Sequence, residues 1–139
     1  MKKILCYCFT MVFTLSLSAQ SDGYISFKQK VIDGGWIIEK EKKMYLSQGA
    51  TDYGMYKLSA GRQYKIFCMS DDADVRDADV WLYDNSNNQL LTKDVENDQM
   101  AIVNFYAEHQ INVKVLGKNI KSNSPSTDSR FYILVTYKR

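Results

Sequence analysis

The chain has 139 residues, with 18 Lys and Arg against 16 Asp and Glu and a formal net charge of +2. That balance lacks the basic footprint of a nucleic-acid-binding domain, and the length suits one domain with a workable hydrophobic core. With one histidine in the whole chain, a catalytic zinc site built on three protein ligands has few donors to draw on.

Residues 1–19 read as a secretion signal. Lys2 and Lys3 give the positive start, residues 4–17 form an apolar run, and Ser18 and Ala19 are the small residues expected near a cleavage site. The run is shorter than the ~20 apolar residues of a membrane span, so a spanning helix is not expected. Loss of Lys2 and Lys3 leaves 16 basic against 16 acidic side chains, a neutral exported chain. Cys6 and Cys8 leave with the signal. Cys68 then stands alone, which rules out an intramolecular disulfide. The expected location is the periplasm, the cell surface or the extracellular space, and nucleic acid is not an expected partner.

Residues 20–52 are read as an N-terminal arm with the first strand or strands, joined in one domain to a core over 53–139. Within the arm, Phe27 and Val31 followed by Gly34-Gly35 fit a short helix with a glycine cap. Ile25, Phe27 and Val31 with an Asp33-Gly34 turn fit a hairpin. A short helix or irregular arm is the preferred reading. Residues 36–46 and 53–58 are then expected to be strands.

Beyond Leu58 the apolar residues recur with period two, the mark of half-buried strands. Tyr64, Ile66 and Cys68 share one face. Val80 and Leu82 share another, with Trp81 and Tyr83 opposite. Ala101, Val103 and Phe105 follow, then Ile111, Val113 and Val115, and last Phe131, Ile133, Val135 and Tyr137. Turn chemistry separates them: Ala60-Gly61, the asparagine-rich 85–88, the polar 96–99, and a long loop over 117–129 holding Pro125. Short strands so spaced predict an all-β protein, an antiparallel β-sandwich of jelly-roll type.

Residues 71–79 carry five aspartates, Asp71, Asp72, Asp74, Asp77 and Asp79. Ca²⁺ takes six to eight oxygen ligands, and Asp72, Asp74, Asp77 and Asp79 are the candidate set. The competing reading is architectural, with aspartates capping loop N–H groups, charges guarding strand ends, and Arg76 as a neutralising partner. Trp81 and Tyr83, beside this loop on one strand face, are the candidate ligand platform; packing into the core is the other reading. No catalytic residue emerges. His109 lies in a polar turn without a partner motif, no G-x-S-x-G elbow occurs, and Cys68 reads as a small buried hydrophobe.

Two stretches carry a resemblance. Leu58-Ser59-Ala60-Gly61-Arg62-Gln63-Tyr64 resembles the turn into a core strand of bacterial pre-peptidase C-terminal (PPC-like) domains, and Asp77-Ala78-Asp79-Val80-Trp81-Leu82-Tyr83-Asp84 resembles their D-x-D-L-x-L-Y-D strand. Lys93-Asp94, residues 102–105 and residues 111–115 follow in the same order, so the likeness spans about 53–137. The chain departs from the pattern at Asn87-Asn88-Gln89, at Glu108-His109-Gln110-Ile111 and in its lone Cys68. The resemblance implies a small jelly-roll β-sandwich of exported proteins, of a kind appended to proteases and other enzymes and not itself catalytic. The expected function is therefore that of an exported non-enzymatic binding or accessory module with a protein or cell-envelope glycan partner. A Ca²⁺-dependent structural or adhesion module using residues 71–79 is the alternative, and a small hydrolase ranks third. No cofactor other than Ca²⁺ is implied.

Overall fold

A computed structural model describes residues 22–138; the secretion signal read over 1–19 lies outside them. The described residues begin with a helix, α1 (Asp22–Asp33), and continue as eight strands. These are β1 (Ile37–Leu46), β2 (Thr51–Leu58), β3 (Arg62–Ser70), β4 (Val75–Asp84), β5 (Leu90–Asp94), β6 (Met100–Ala107), β7 (Ile111–Ser122) and β8 (Ser129–Lys138). They pair antiparallel in two four-stranded sheets, sheet A in the order β1-β8-β3-β6 and sheet B in the order β2-β7-β4-β5. This is the alternating strand assignment of a jelly roll. No helix among the described residues is long and apolar enough to cross a membrane.

The inner faces follow from the period-two pattern. Tyr64, Ile66 and Cys68 of β3 meet Val80 and Leu82 of β4, Val113 and Val115 of β7, and Phe131, Ile133 and Val135 of β8 in one buried cluster. Met44 and Leu46 of β1 and Leu58 of β2 belong to the same cluster. At its centre Gly117 of β7 has no side chain, and the space is taken by Cys68 from the opposite sheet. A Cβ on Gly117 would lie 2.7 Å from the Cys68 sulfur and 3.2 Å from the Met44 methyl.

The central strands of sheet A are apolar on both faces because both faces are covered. Phe67 and Met69 of β3 and Tyr132 and Leu134 of β8 point away from the inter-sheet core and pack under α1, against Tyr24 and Val31. The helix forms because Tyr24, Phe27 and Val31 recur at helical spacing and line one face. It ends at Gly34-Gly35, where Gly35 takes φ +84° and Gly34 N–H bonds the Lys30 carbonyl at 3.0 Å. The Tyr24 ring stacks on Tyr132 with centroids 3.6 Å apart, and Phe27 meets Phe67 edge-on at 5.1 Å. Burying a side chain of this size contributes about 1.5–3 kcal/mol. The Tyr24 hydroxyl donates to Glu41 at 2.8 Å, and Lys28 reaches the same carboxylate at 3.1 Å, which fixes the helix against β1.

Two polar contacts hold the connections. The fully buried Tyr64 accepts the Ser59 N–H at 2.8 Å, five residues upstream, while Gly61 turns the chain at φ +75° and donates to the Ala107 carbonyl. This is the physical content of the Leu58-to-Tyr64 motif, a tyrosine that locks the turn leading into its own strand. Buried Asn119 donates to the Leu46 carbonyl at 3.0 Å and to Ser122 Oγ at 2.8 Å, pinning the β1–β2 turn to β7.

Two outcomes test this packing. Gly117→Ala lowers unfolding stability by about 1–3 kcal/mol through overpacking. In a urea double-mutant cycle, Cys68→Ala in the same chain recovers part of that loss; strict additivity would contradict the contact. Tyr64→Phe costs about 1 kcal/mol by removing the acceptor of the Ser59 N–H, measured as a lower urea midpoint at unchanged slope.

Candidate functional site

The aspartates of residues 71–79 divide into two groups with different surroundings. Asp71 is nearly buried and bonds Arg130 of β8 at 3.3 Å. Asp72 closes a turn, its carboxylate accepting the Asp74 N–H at 2.9 Å and its carbonyl the Val75 N–H at 3.1 Å. Asp74 reaches across to the β7–β8 loop, where its two oxygens accept the Ser124 N–H at 3.0 Å and the Ser124 hydroxyl at 3.1 Å. Its carbonyl takes the Asn123 N–H. Asp72 is thus engaged within its own turn and Asp74 in joining the β3–β4 and β7–β8 loops.

Asp77 and Asp79 sit lower on β4, where register shifts on either side of Asp77 distort the pairing with β7. Each has an Oδ1 that is buried and without a hydrogen-bond partner. Burial raises the Asp77 carboxyl above the usual range; a backbone hydrogen bond from Asp98 pulls it down, and the Asp98 charge pushes it up again. Asp79 is raised by burial first, then by the charges of Asp77 and Asp94, against the opposing pull of Lys118. Asp94 spends its oxygens on the Glu96 and Ile102 N–H groups. Four carboxylates therefore repel one another near the β5–β6 connection. Among the described residues no group of three or more His, Cys, Asp or Glu side chains is placed to hold a metal ion.

Trp81 and Tyr83 are half-buried on the outer face of sheet B, while their neighbours Val80 and Leu82 point into the core. Pairing builds two rows across this face. Tyr53, Leu116, Trp81 and Lys93 stand opposite one another on β2, β7, β4 and β5. Met55, Lys114, Tyr83 and Leu90 form the adjacent row. Tyr53 is 49% exposed and Met55 61%, so about half or more of each side chain is open to solvent. Lys114 lies over the Tyr83 ring at 5.1 Å, and Lys42 approaches the Tyr53 ring at 5.9 Å. Of these two rows the sequence reading singled out Trp81 and Tyr83 but not Tyr53, Met55 or Leu116. Their signal was the Tyr53-Gly54-Met55 alternation, which leaves large apolar side chains opposite the inward Gly54 position.

A cleft of about 610 Å³ at one end of the sandwich is lined by Asp84, Ser86, Tyr106, Glu108 and His109. Its polar groups serve the turn: Ser86 N–H and hydroxyl both donate to Asp84 Oδ1, at 2.8 and 2.7 Å, and these bonds hold the Asp84 carboxyl below the usual range. Among the described residues His109 makes no hydrogen bond to either, so no nucleophile–base pair is assembled there. Cys68 is fully buried, and burial pushes its thiol up to about 12, far from the thiolate a nucleophile needs.

The Asp79 environment predicts a pH signature. A carboxyl raised in the folded state binds protons more tightly there than in the unfolded chain, so it loses stability as pH rises above the ordinary carboxylate range. Asp79→Asn therefore raises Tm at pH 7 by about 3 °C, the shift expected of a change near 1 kcal/mol in a domain of this size. The gain shrinks as pH falls toward 4. A variant less stable than the parent at pH 7 would contradict the repulsion.

No family model and no curated protein matches the sequence. Solved structures do share the fold. One is the pre-peptidase C-terminal domain of a collagenase from Bacillus anthracis, a crystal structure at 1.0 Å, to which the chain is 15% identical with a TM-score of 0.52. The match covers 69% of this chain and 87% of that one. The chain therefore has a PPC-like fold, an all-β sandwich of two antiparallel sheets.

Proposed function

We propose that this chain is an exported, non-enzymatic accessory module that binds a protein or glycan partner across the outer face of sheet B. One observation carries the reading. The sandwich has two outer faces. That of sheet A is covered over the middle of β3 and β8 by α1, and that of sheet B leaves Tyr53, Met55 and Leu90 exposed with Trp81 and Tyr83 half-buried beside them in two adjoining rows. A contiguous apolar surface rimmed by polar residues marks an interaction site, and aromatic side chains concentrate binding energy at such sites. The PPC-like fold adds support, since the solved neighbour is a terminal domain of a collagenase rather than a whole enzyme.

The experiment is co-sedimentation of the purified protein with cell-envelope preparations from the organism that produces it. Trp81→Ala and Tyr83→Ala should each reduce the bound fraction by about tenfold in affinity, the scale of an aromatic anchor, with thermal melts close to the parent. Retention unchanged in both variants would overturn the assignment of the binding face.

A further inference from the structure

We infer that the β5–β6 connection, residues 95–99, is a proton-operated latch, closed onto β4 in acid and loosened near neutrality by repulsion among Asp77, Asp79, Asp94 and Asp98. The latch stands apart from the binding face proposed above and does not depend on what that face takes.

The connection carries the chain from β5, an edge of sheet B, to β6, an edge of sheet A. It therefore closes the sandwich on that side. All of its residues are exposed, and none belongs to either buried apolar cluster. Neutral hydrogen bonds tie it to β3 and β4 instead. The Asp98 carbonyl accepts the Ala78 N–H at 2.8 Å, and the Gln99 carbonyl accepts the Ser70 N–H at 3.5 Å. The Gln99 side-chain amide donates to the Val75 carbonyl. A segment held by such bonds and little packing opens locally, without the rest of the sandwich.

The charged groups at the same place oppose closure. Asp77 and Asp79 flank Ala78 on β4. Asp79 is only 6% exposed, and each of the two has a buried Oδ1 without a hydrogen-bond partner. None of the ion pairs among the described residues involves either one. Asp94, at the end of β5, and Asp98, within the connection, add their charges to both. Lys121 and Lys118 stand opposite Asp77 and Asp79 on β7, and the adjoining cleft is lined by Lys65, Lys93 and Glu96. Burial and the like charges outweigh these lysines and the Asp98 N–H bonded to Asp77, so both carboxyls stand above the ordinary range.

The direction of the switch follows. Opening hydrates both side chains and returns them to the ordinary carboxylate range, about 4. The closed latch thus binds protons more tightly than the open one. Closure is favoured in full below that range and is lost as pH rises through the raised closed-state values.

The test is hydrogen exchange at the Ala78 and Ser70 amides, whose acceptors lie in the connection. Rates are taken at pH 4 and 7.5, each corrected for the intrinsic rate at that pH. Both amides should exchange ahead of those of β8 and be indifferent to low urea, as local opening requires. Their protection should fall by about threefold or more from pH 4 to 7.5. Asp79→Asn and, separately, Asp98→Asn should each recover about threefold or more of it at pH 7.5. Exchange that needs the same urea-sensitive unfolding as β8 overturns the latch, since only the whole sandwich then opens. Equal protection at the two pH values overturns it, and so does recovery in neither variant. Protection that millimolar Ca²⁺ restores at pH 7.5 while acid does not marks a cation-operated latch and overturns the proton-operated one.

Discussion

Two sheets must bury their inner faces against each other, and the seat of Cys68 against Gly117 shows how tightly that is done. A side chain from β3 enters the space that β7 leaves by having no Cβ. The aliphatic rows of both sheets then close around this point, Ile66 and Val135 on one side and Val80, Leu82 and Val115 on the other. With a single cysteine among the described residues, cohesion comes from packing and from a few polar pins. Tyr64 and Asn119 show the pattern. Each buries a side chain and uses its polar end to fix a turn that strand pairing alone would leave free.

The same constraint explains why the two outer faces differ. Strands β3 and β8 carry apolar residues on both sides, which is tolerable only because α1 covers the outer side with Tyr24, Phe27 and Val31. No described element plays that part for sheet B. Its outward positions mix apolar side chains such as Tyr53, Leu116 and Trp81 with polar and charged ones such as Lys114, Lys118 and Asp79. The aspartates at the upper end of β4 have a different task. Asp71 and Asp74 tie the β3–β4 loop to β8 and to the β7–β8 loop and Asp72 closes its turn, while Asp77 and Asp79 place unpartnered oxygens beside Asp94 and Asp98.

Much of this was legible beforehand. The inward residues of β3, β4, β7 and β8 follow from alternation, since a strand with one buried face has no other way to arrange them. The glycine pair after Val31 marked the helix end because only a residue without a Cβ accepts φ +84° at low cost. Sheet order was not readable from local pattern, because it depends on which edges meet after long connections. The resemblance to PPC-like domains implied the jelly-roll type but no strand order, which comes from the pairing itself. The partition of the aspartates was equally hidden. Which loop an aspartate reaches depends on the position of Ser124, about fifty residues downstream. The outer row of sheet B was half visible: Trp81 and Tyr83 stood out within one strand, but Tyr53, Leu116 and Lys93 join them only through the register of three other strands.

The place of Cys68 has a chemical consequence. In the exported chain proposed here, a lone thiol in an oxidising compartment is a hazard, since it can cross-link to any other free thiol it meets. Here the sulfur is sealed between the sheets, and burial holds it protonated. The contact that brings the sheets together thus also protects the chain from oxidation. Because the thiol is exposed only when the sheets part, its reaction with an alkylating reagent keeps time with opening of the whole sandwich. The residue that fills the gap at Gly117 is therefore a built-in reporter of cooperative unfolding.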